Sequence, residues 1–313
     1  MMTRSETAKF LQEHDHFAIV THRRPDGDTL GTAALLCLGL RQLGKTAHIL
    51  RNPETTEKYA VLHEGLTKEW AEDGDTVVCV DVASPNMLGT HFAPLQERIE
   101  LRIDHHGSAT PFTPFELVEP KTAACGEIVY GVLREMGAKL DVPMAEALYT
   151  AASTDTGCFR YANTTAETLR VAADCKEAGA DTFRLNQELF ETNSLARLRL
   201  QGWLIENALF LRGGKIAICA LPLSVEQSLG LTEDDMENIS GFPRSIAGVK
   251  IAATLRQETA ETVKMSVRAV PGYDAAAICA VFGGGGHKGA AGASMKMTME
   301  EAVEAVKAVM PEI

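Results

Sequence analysis

Phe17-Ala18-Ile19-Val20-Thr21-His22-Arg23-Arg24-Pro25-Asp26-Gly27-Asp28-Thr29 is the stretch whose reading decides the fold. A short apolar run hands over to a loop of charged and turn-forming residues, and a second apolar stretch then runs to Gly44. The run predicts a buried strand over 17–22, and the stretch after it a helix over 29–43 stopped by the glycine. Residues 45–51 read as the next strand. The same handover recurs twice, at 76–81, which ends in Asp81, and at 98–103, which leads into Asp104-His105-His106. Helical patterns cover 126–136 and 144 to about 154, the latter just ahead of Asp155. This alternation predicts an α/β fold with a doubly wound, mainly parallel sheet. In open sheets of that kind ligands collect at the carboxyl ends of the strands, so the four polar segments are expected to converge.

Beyond Thr165 the pattern turns helical, over 166–178 and 183–190, followed by a polar, Arg-rich stretch over 193–206 that reads as a connection. A hairpin follows, 208–212 and 216–221 around Gly213-Gly214, then strands over 249–257 and 263–270, the glycine cluster 283–286 and a terminal helix over 299–310. The expected organisation is an α/β domain over 1–190 that carries the four polar segments, a helical linker over 191–207 and a smaller mixed α/β domain over 208–313, with a cleft between the two domains. No internal repeat or low-complexity segment interrupts it.

With 313 residues, 45% of them hydrophobic and 23% charged, the chain has the composition of an ordinary globular protein. No apolar stretch approaches the roughly 20 residues that span a bilayer. The polar start of the chain reads as an amphipathic helix rather than a secretory signal, so a cytoplasmic protein without membrane partners is expected. The seven cysteines form no C-x-x-C pair and read as small buried residues in a reducing compartment. A net charge of −12 opposes a broad electrostatic grip on long duplex nucleic acid.

His22, Asp26 and Asp28 make an H-x-x-x-D-x-D pattern inside a tight turn, where one imidazole and two carboxylates can serve two adjacent cations. Taken singly, each segment has a plainer meaning. Asp-Gly-Asp is ordinarily a turn, Asp81 an ordinary strand-end carboxylate, and Asp155 a helix-end residue. Asp104-His105-His106 is sharper, because such groups are costly to bury without partners. Their joint occurrence is what points to a two-metal hydrolytic site. Two cations about 3.5 to 4 Å apart can activate a water and neutralise charge on a phosphoryl group. Carboxylate and imidazole ligands without thiolate favour Mn²⁺, with Mg²⁺ or Co²⁺ as substitutes.

In order and spacing these motifs resemble the DHH phosphoesterase superfamily, and the glycine-rich stretch from Gly283 to Gly292 resembles the signature of the DHH-associated C-terminal domain. The compact length is most similar to the bacterial oligoribonuclease (nanoRNase) and 3′-phosphoadenosine 5′-phosphate (pAp) phosphatase branch. The resemblance implies that His22 and Asp26 hold one metal, that Asp28, His105 and Asp155 hold the other, and that Asp81 bridges them. Asp104 would orient a histidine, and His106 would face the scissile phosphate.

For the second domain, the backbone amides of Gly284, Gly285 and Gly286 can approach a phosphate closely, and His287 and Lys288 add charge there. Arg256 and Arg268, near the ends of neighbouring strands, are candidate grips on a terminal phosphate. The expected activity is metal-dependent hydrolysis of very short RNA oligonucleotides to mononucleotides, with phosphate removal from pAp. The expected partners are therefore short RNA or phosphorylated nucleotides, and the resemblance adds a homodimer. Open alternatives are a linear or cyclic dinucleotide phosphodiesterase, a processive single-strand exonuclease, an inorganic pyrophosphatase or polyphosphatase, and a catalytically silent nucleotide-binding module.

Overall fold

All three apolar runs that precede a polar segment become parallel strands. In a computed structural model that describes residues 1–107, 109–236 and 239–313, the chain divides into two units, Met1–Thr192 and Asn193–Ile313. The first unit contains β1 (Phe17–Val20), β2 (Ala47–Leu50), β3 (Thr67–Lys68), β4 (Thr76–Val80), β5 (Ile99–Asp104) and β6 (Phe115–Val118). They form one sheet in the order β3-β2-β1-β4-β5-β6, with every pairing parallel. β1, β2 and β4 are buried along their whole length, as expected for strands covered on both faces. The chain winds outward from β1 to β3 and then outward again from β4 to β6, so the switch point lies between β1 and β4. Ligands in such sheets bind at that point.

One face of the sheet is covered by the Gly27–Gln42, Cys125–Glu135 and Val142–Asp155 helices. The first of them is buried almost all round, and it crosses the Val142–Asp155 helix so closely that a Cβ at Gly31 would lie 2.5 Å from the Ala147 carbonyl oxygen. Glycine is therefore required there. This crossing brings Asp28, in the first turn of one helix, near Asp155, the last residue of the other. The opposite face packs Ala18, Val20, Val77 and Cys79 under Leu88 and Phe92.

The second unit is built on β7 (Leu209–Leu211), β8 (Ile216–Leu221), β9 (Ile251–Thr259), β10 (Thr262–Ala269), β11 (Gly285–His287) and β12 (Ala290–Met295), in the order β11-β12-β10-β9-β8-β7. Only β8 and β9 pair in parallel. The Met299–Val309 helix buries Met299, Ala302 and Val306 against this sheet.

The stretch over 193–206, expected as a helical linker, forms the Leu195–Glu206 helix, whose Leu200 and Leu204, one turn apart, bury against Cys219 and Leu221 within the unit that begins at Asn193. Within the glycine cluster, residues 285–287 pair with β12. The cysteines are free, six of them buried. No helix among the described residues is long and apolar enough to cross a membrane.

Candidate metal centre

The switch point gathers the polar segments. His22 follows β1, Asp26 caps the Gly27–Gln42 helix by accepting from the Asp28 and Thr29 amides, Asp81 follows β4, and Asp104, His105 and His106 end and follow β5. Asp81 has a φ of 59°, a left-handed conformation that few residues other than glycine adopt. Backbone strain of this kind concentrates at functional sites.

The two carboxylate oxygens of Asp81 face different partners. Oδ2 is 3.5 Å from His22 Nε2, which is also 3.6 Å from Asp26 Oδ1. Oδ1 is 3.4 Å from His105 Nε2, and that nitrogen is 3.5 Å from Asp28 Oδ2 and 3.7 Å from Asp155 Oδ2. His22, Asp26 and Asp81 thus form one group, and Asp28, His105 and Asp155 another, each with donor atoms within 4.8 Å of one another. Two donors bound to one cation at about 2.0–2.2 Å stand roughly 3.0–3.5 Å apart, so these spacings suit cation coordination and are long for direct hydrogen bonds.

Both imidazoles are pre-oriented. His22 Nδ1 lies 2.8 Å from the Arg23 carbonyl oxygen and His105 Nδ1 lies 3.1 Å from that of Thr122, so each donates its Nδ1–H to the backbone and presents Nε2 to the carboxylates. That is how metal-bound histidines are usually held. Asp28 is held as firmly, accepting from the Cys125 amide at 2.7 Å, the Gly126 amide at 3.2 Å and the Thr32 hydroxyl at 3.0 Å.

The protein's own charges do not balance here, with five aspartates facing three imidazoles in a largely buried space. Burial, reinforced by Asp81, holds Asp28 well above the usual carboxylate range, and burial with the Asp81 and Asp26 charges pushes Asp155 up to about 7. Despite burial, the Asp81, Asp28 and Asp155 carboxylates push His105 up to about 11. Asp81 is held low against its burial by His105 and His22, yet its Oδ1 has no hydrogen-bond partner. Divalent cations would resolve this imbalance, because carboxylate oxygens and neutral imidazoles are their natural ligands.

His106 plays a different part. Its Nδ1 donates to Asp104 Oδ1 at 2.8 Å, and its backbone amide lies 3.3 Å from the same oxygen, so the fully buried Asp104 orients this ring. Behind Asp104 stands Arg102, only 1% exposed, whose significance the sequence conceals. Its Nη1 donates to the carbonyls of Val82, Ala83 and Thr110 at 3.3, 3.0 and 3.2 Å, and its Nη2 pairs with Glu116 at 3.2 Å. Arg102 ties the segment after Asp81 to the segment after His106. Asn52 was also unexpected: its amide donates to Thr21 Oγ1 and to the His22 carbonyl at 3.0 and 2.8 Å. The signal for Arg102 was a charge inside an apolar strand. Asn52 offered none.

In the second unit the candidates are arranged otherwise. His287 and Lys288 are exposed at the turn between β11 and β12. Gly286 has a φ of 144°, and a Cβ there would lie 2.7 Å from the Ala290 carbonyl oxygen, so this glycine is needed for the hairpin itself. Gly284 is likewise crowded by Gly292 and Ala293, whereas Gly285 is open. Arg268 pairs in register with Ala290 at the base of this turn. Arg256 does not join it. Antiparallel pairing sets Arg256 opposite Lys264 and Arg268 opposite Ala252, four residues or roughly 13 Å along the sheet. Arg256 is moreover engaged by Glu226, at 2.6 and 2.9 Å, and by Glu233 at 3.0 Å. The two arginines expected as grips on a terminal phosphate therefore stand apart on the sheet.

Residues 16–152 match the N-terminal domain of the DHH family, and residues 213–312 match the DHHA1 domain. The bifunctional oligoribonuclease and PAP phosphatase NrnA of Thermus thermophilus is 33% identical over 94% of this chain and 89% of its own. Among solved structures, an exopolyphosphatase-related protein from Bacteroides fragilis superposes with a TM-score of 0.84 at 24% identity, covering 98% of this chain and 94% of that one. RecJ from Thermus thermophilus in complex with Mn²⁺ shares the fold at a TM-score of 0.54 and 17% identity, covering 98% of this chain and 53% of that one. The chain belongs to the DHH family of metal-dependent phosphoesterases, with a DHH domain followed by a DHHA1 domain.

Proposed function

We propose that this enzyme hydrolyses short RNA oligonucleotides to mononucleotides and also removes a phosphate from pAp. The observation that carries the chemistry is the division of Asp81, one oxygen toward the His22–Asp26 group and the other toward the Asp28–His105–Asp155 group. The substrate class is supported by the Thermus relative, whose name gives both activities.

His22, Asp26 and Asp81 would hold one divalent cation, and Asp28, His105 and Asp155, again with Asp81, the second. Mn²⁺ is the proposed ion, since the donors are hard oxygens and imidazoles without thiolate. When bound, the pair supplies Lewis-acid chemistry, activating water and neutralising charge on the phosphoryl oxygens. The chain's own residues set the geometry. Asp104 holds the His106 ring by Nδ1, which leaves Nε2 to meet a phosphoryl oxygen. The Asp104 and Asp81 carboxylates raise the pKa of His106 against its burial, and a protonated ring there favours the anionic transition state. In the second unit, the exposed His287 and Lys288, with Arg268 at the base of their turn, form the proposed contact for a further phosphate. Arg256, held by two glutamates, is assigned to the stability of that unit. Free and mostly buried cysteines agree with the proposed cytoplasmic location.

The test is a time course with Mn²⁺ on a 5′-phosphorylated RNA dinucleotide, a long single strand, pAp and pyrophosphate, run beside the Asp81→Ala variant. Fast cleavage of the dinucleotide and of pAp, lost in the variant, is expected. Preference for pyrophosphate or for the long strand would overturn the substrate assignment.

A further inference from the structure

The carboxyl end of β2 and the segment that leads into β3 line a cavity of about 530 Å³ that includes none of the candidate cation ligands. Its size falls within the roughly 300–1,000 Å³ of small-molecule clefts. Asn52 forms one wall, and its amide is pinned on Thr21 and on the His22 carbonyl while its Oδ1 accepts from the Glu54 amide at 3.0 Å. The residue that bounds the cavity therefore also braces the loop carrying His22, so cavity and candidate cation group share a wall. His63 is buried beside the cavity, its Nε2 3.0 Å from the Leu30 carbonyl oxygen. The mouth is mixed in character. Val61 is 64% exposed there, an apolar side chain left uncovered, and Thr55 and Glu64 add a hydroxyl and a carboxylate.

A second feature lies at the rim. Arg51, which lines the cavity, accepts through its carbonyl from His91 Nε2 at 3.2 Å, and the His91 ring lies 5.6 Å from that of Trp70. Trp70 is 68% exposed. An indole left in solvent and backed by a second ring is a surface on which a base can stack. The topology agrees with these side chains. In open sheets of this kind ligands bind outside the carboxyl ends of the strands, beside the switch point, and β2, whose carboxyl end borders the cavity, pairs with β1 at that point.

We propose that this cavity is a nucleoside subsite, taking the base and sugar of the nucleotide whose phosphate lies on the metal centre, with the Trp70–His91 pair offering a stacking face to a neighbouring base. The inference rests on the phosphoesterase reading and names the part of the first unit that would recognise the nucleoside.

Thr55→Phe fills the cavity and Val61→Asp places a charge on its apolar mouth, and thermal melting verifies that each variant folds. Calorimetric titration of the Mn²⁺-loaded enzyme with adenosine 5′-monophosphate is expected to show binding about tenfold weaker in each variant, with a parallel rise in KM for the RNA dinucleotide and kcat changed far less. Binding and KM within twofold of the parent in both variants would overturn the subsite. The two readings fail separately. A parent enzyme that cleaves no oligoribonucleotide, with nucleotide binding still lost in the variants, defeats the substrate assignment and supports the subsite. A parent that cleaves the dinucleotide, with variants that bind and cleave normally, defeats the subsite alone.

Discussion

In the first unit the charged residues of the motifs meet one another; in the second they stand apart. Asp81 is flanked by His22 on one side and His105 on the other, each imidazole held by a backbone carbonyl, while Asp104 and Arg102 brace the cluster from behind. The glycine-rich stretch instead spends Gly284 and Gly286 on bringing two strands together and leaves His287 and Lys288 in solvent. One region is preorganised by side-chain contacts before any ligand arrives, the other chiefly by backbone. Substitutions should therefore be costly in the first and mild in the second.

The largest effect is expected at Arg102. Arg102→Met leaves Glu116 buried without its partner and releases three carbonyls, at a cost of about 3–5 kcal/mol in unfolding free energy, and replacing Glu116 by Met as well should recover part of it. Denaturant melts of the single and double variants measure this, and a loss under about 1 kcal/mol for the single variant would remove Arg102 from the bracing scheme.

Next in size is the loss of ring orientation. Asp104→Asn should lower kcat by roughly 10–100-fold while the dinucleotide KM moves little, because the variant alters how His106 is held rather than what the substrate touches. Steady-state kinetics separate the two parameters. An unchanged kcat would mean that the orientation of His106 is irrelevant to turnover.

The contrast sharpens at the glycines. Gly31→Ala drives a methyl into the Ala147 carbonyl between two core helices and should cost about 1–3 kcal/mol. Gly285→Ala meets nothing within 4 Å and should stay within about 0.5 kcal/mol. Equal losses would show that the second region is packed as tightly as the first.

The smallest expected effect is one of pH. Burial lowers the pKa of His63 in the folded protein, although the Leu30 carbonyl works the other way. The unfolded chain takes up a proton near pH 6.5 and the folded chain only at lower pH, so stability is full above 6.5 and falls as the pH drops below it. The parent should lose more Tm between pH 7.5 and 5.5 than His63→Gln does. Parallel curves would contradict the assignment.

Much of this contrast was legible in the sequence. Nearly unbroken apolar runs marked β1 and β4, because strands covered on both faces need no polar alternation, while β2 and β5 showed as short apolar stretches interrupted by His48 and by Glu100 and Arg102; with them came the ends that carry His22, Asp81 and Asp104. The edge strands β3 and β6 were hidden: one is two exposed residues, and the other carries Glu116, whose partner Arg102 lies on β5. Arg102, set between Leu101 and Ile103, resembles an ordinary outward residue until the neighbouring strand and loops close over it. The Leu195–Glu206 helix was expected as a helical connection, but its arginines hid the packing of Leu200 and Leu204 against the second unit. Nor could the register that separates Arg256 from Arg268 be read before the β9–β10 pairing was known.

The most direct measurement is the number and position of cations, by anomalous diffraction at the manganese edge from crystals grown with Mn²⁺, supported by a calorimetric titration. Two peaks are expected, one among His22, Asp26 and Asp81 and one among Asp28, His105, Asp155 and Asp81, with two equivalents bound in solution and a clear loss in Asp81→Ala. A single peak, or two peaks that do not share Asp81, would contradict the bridged two-cation centre.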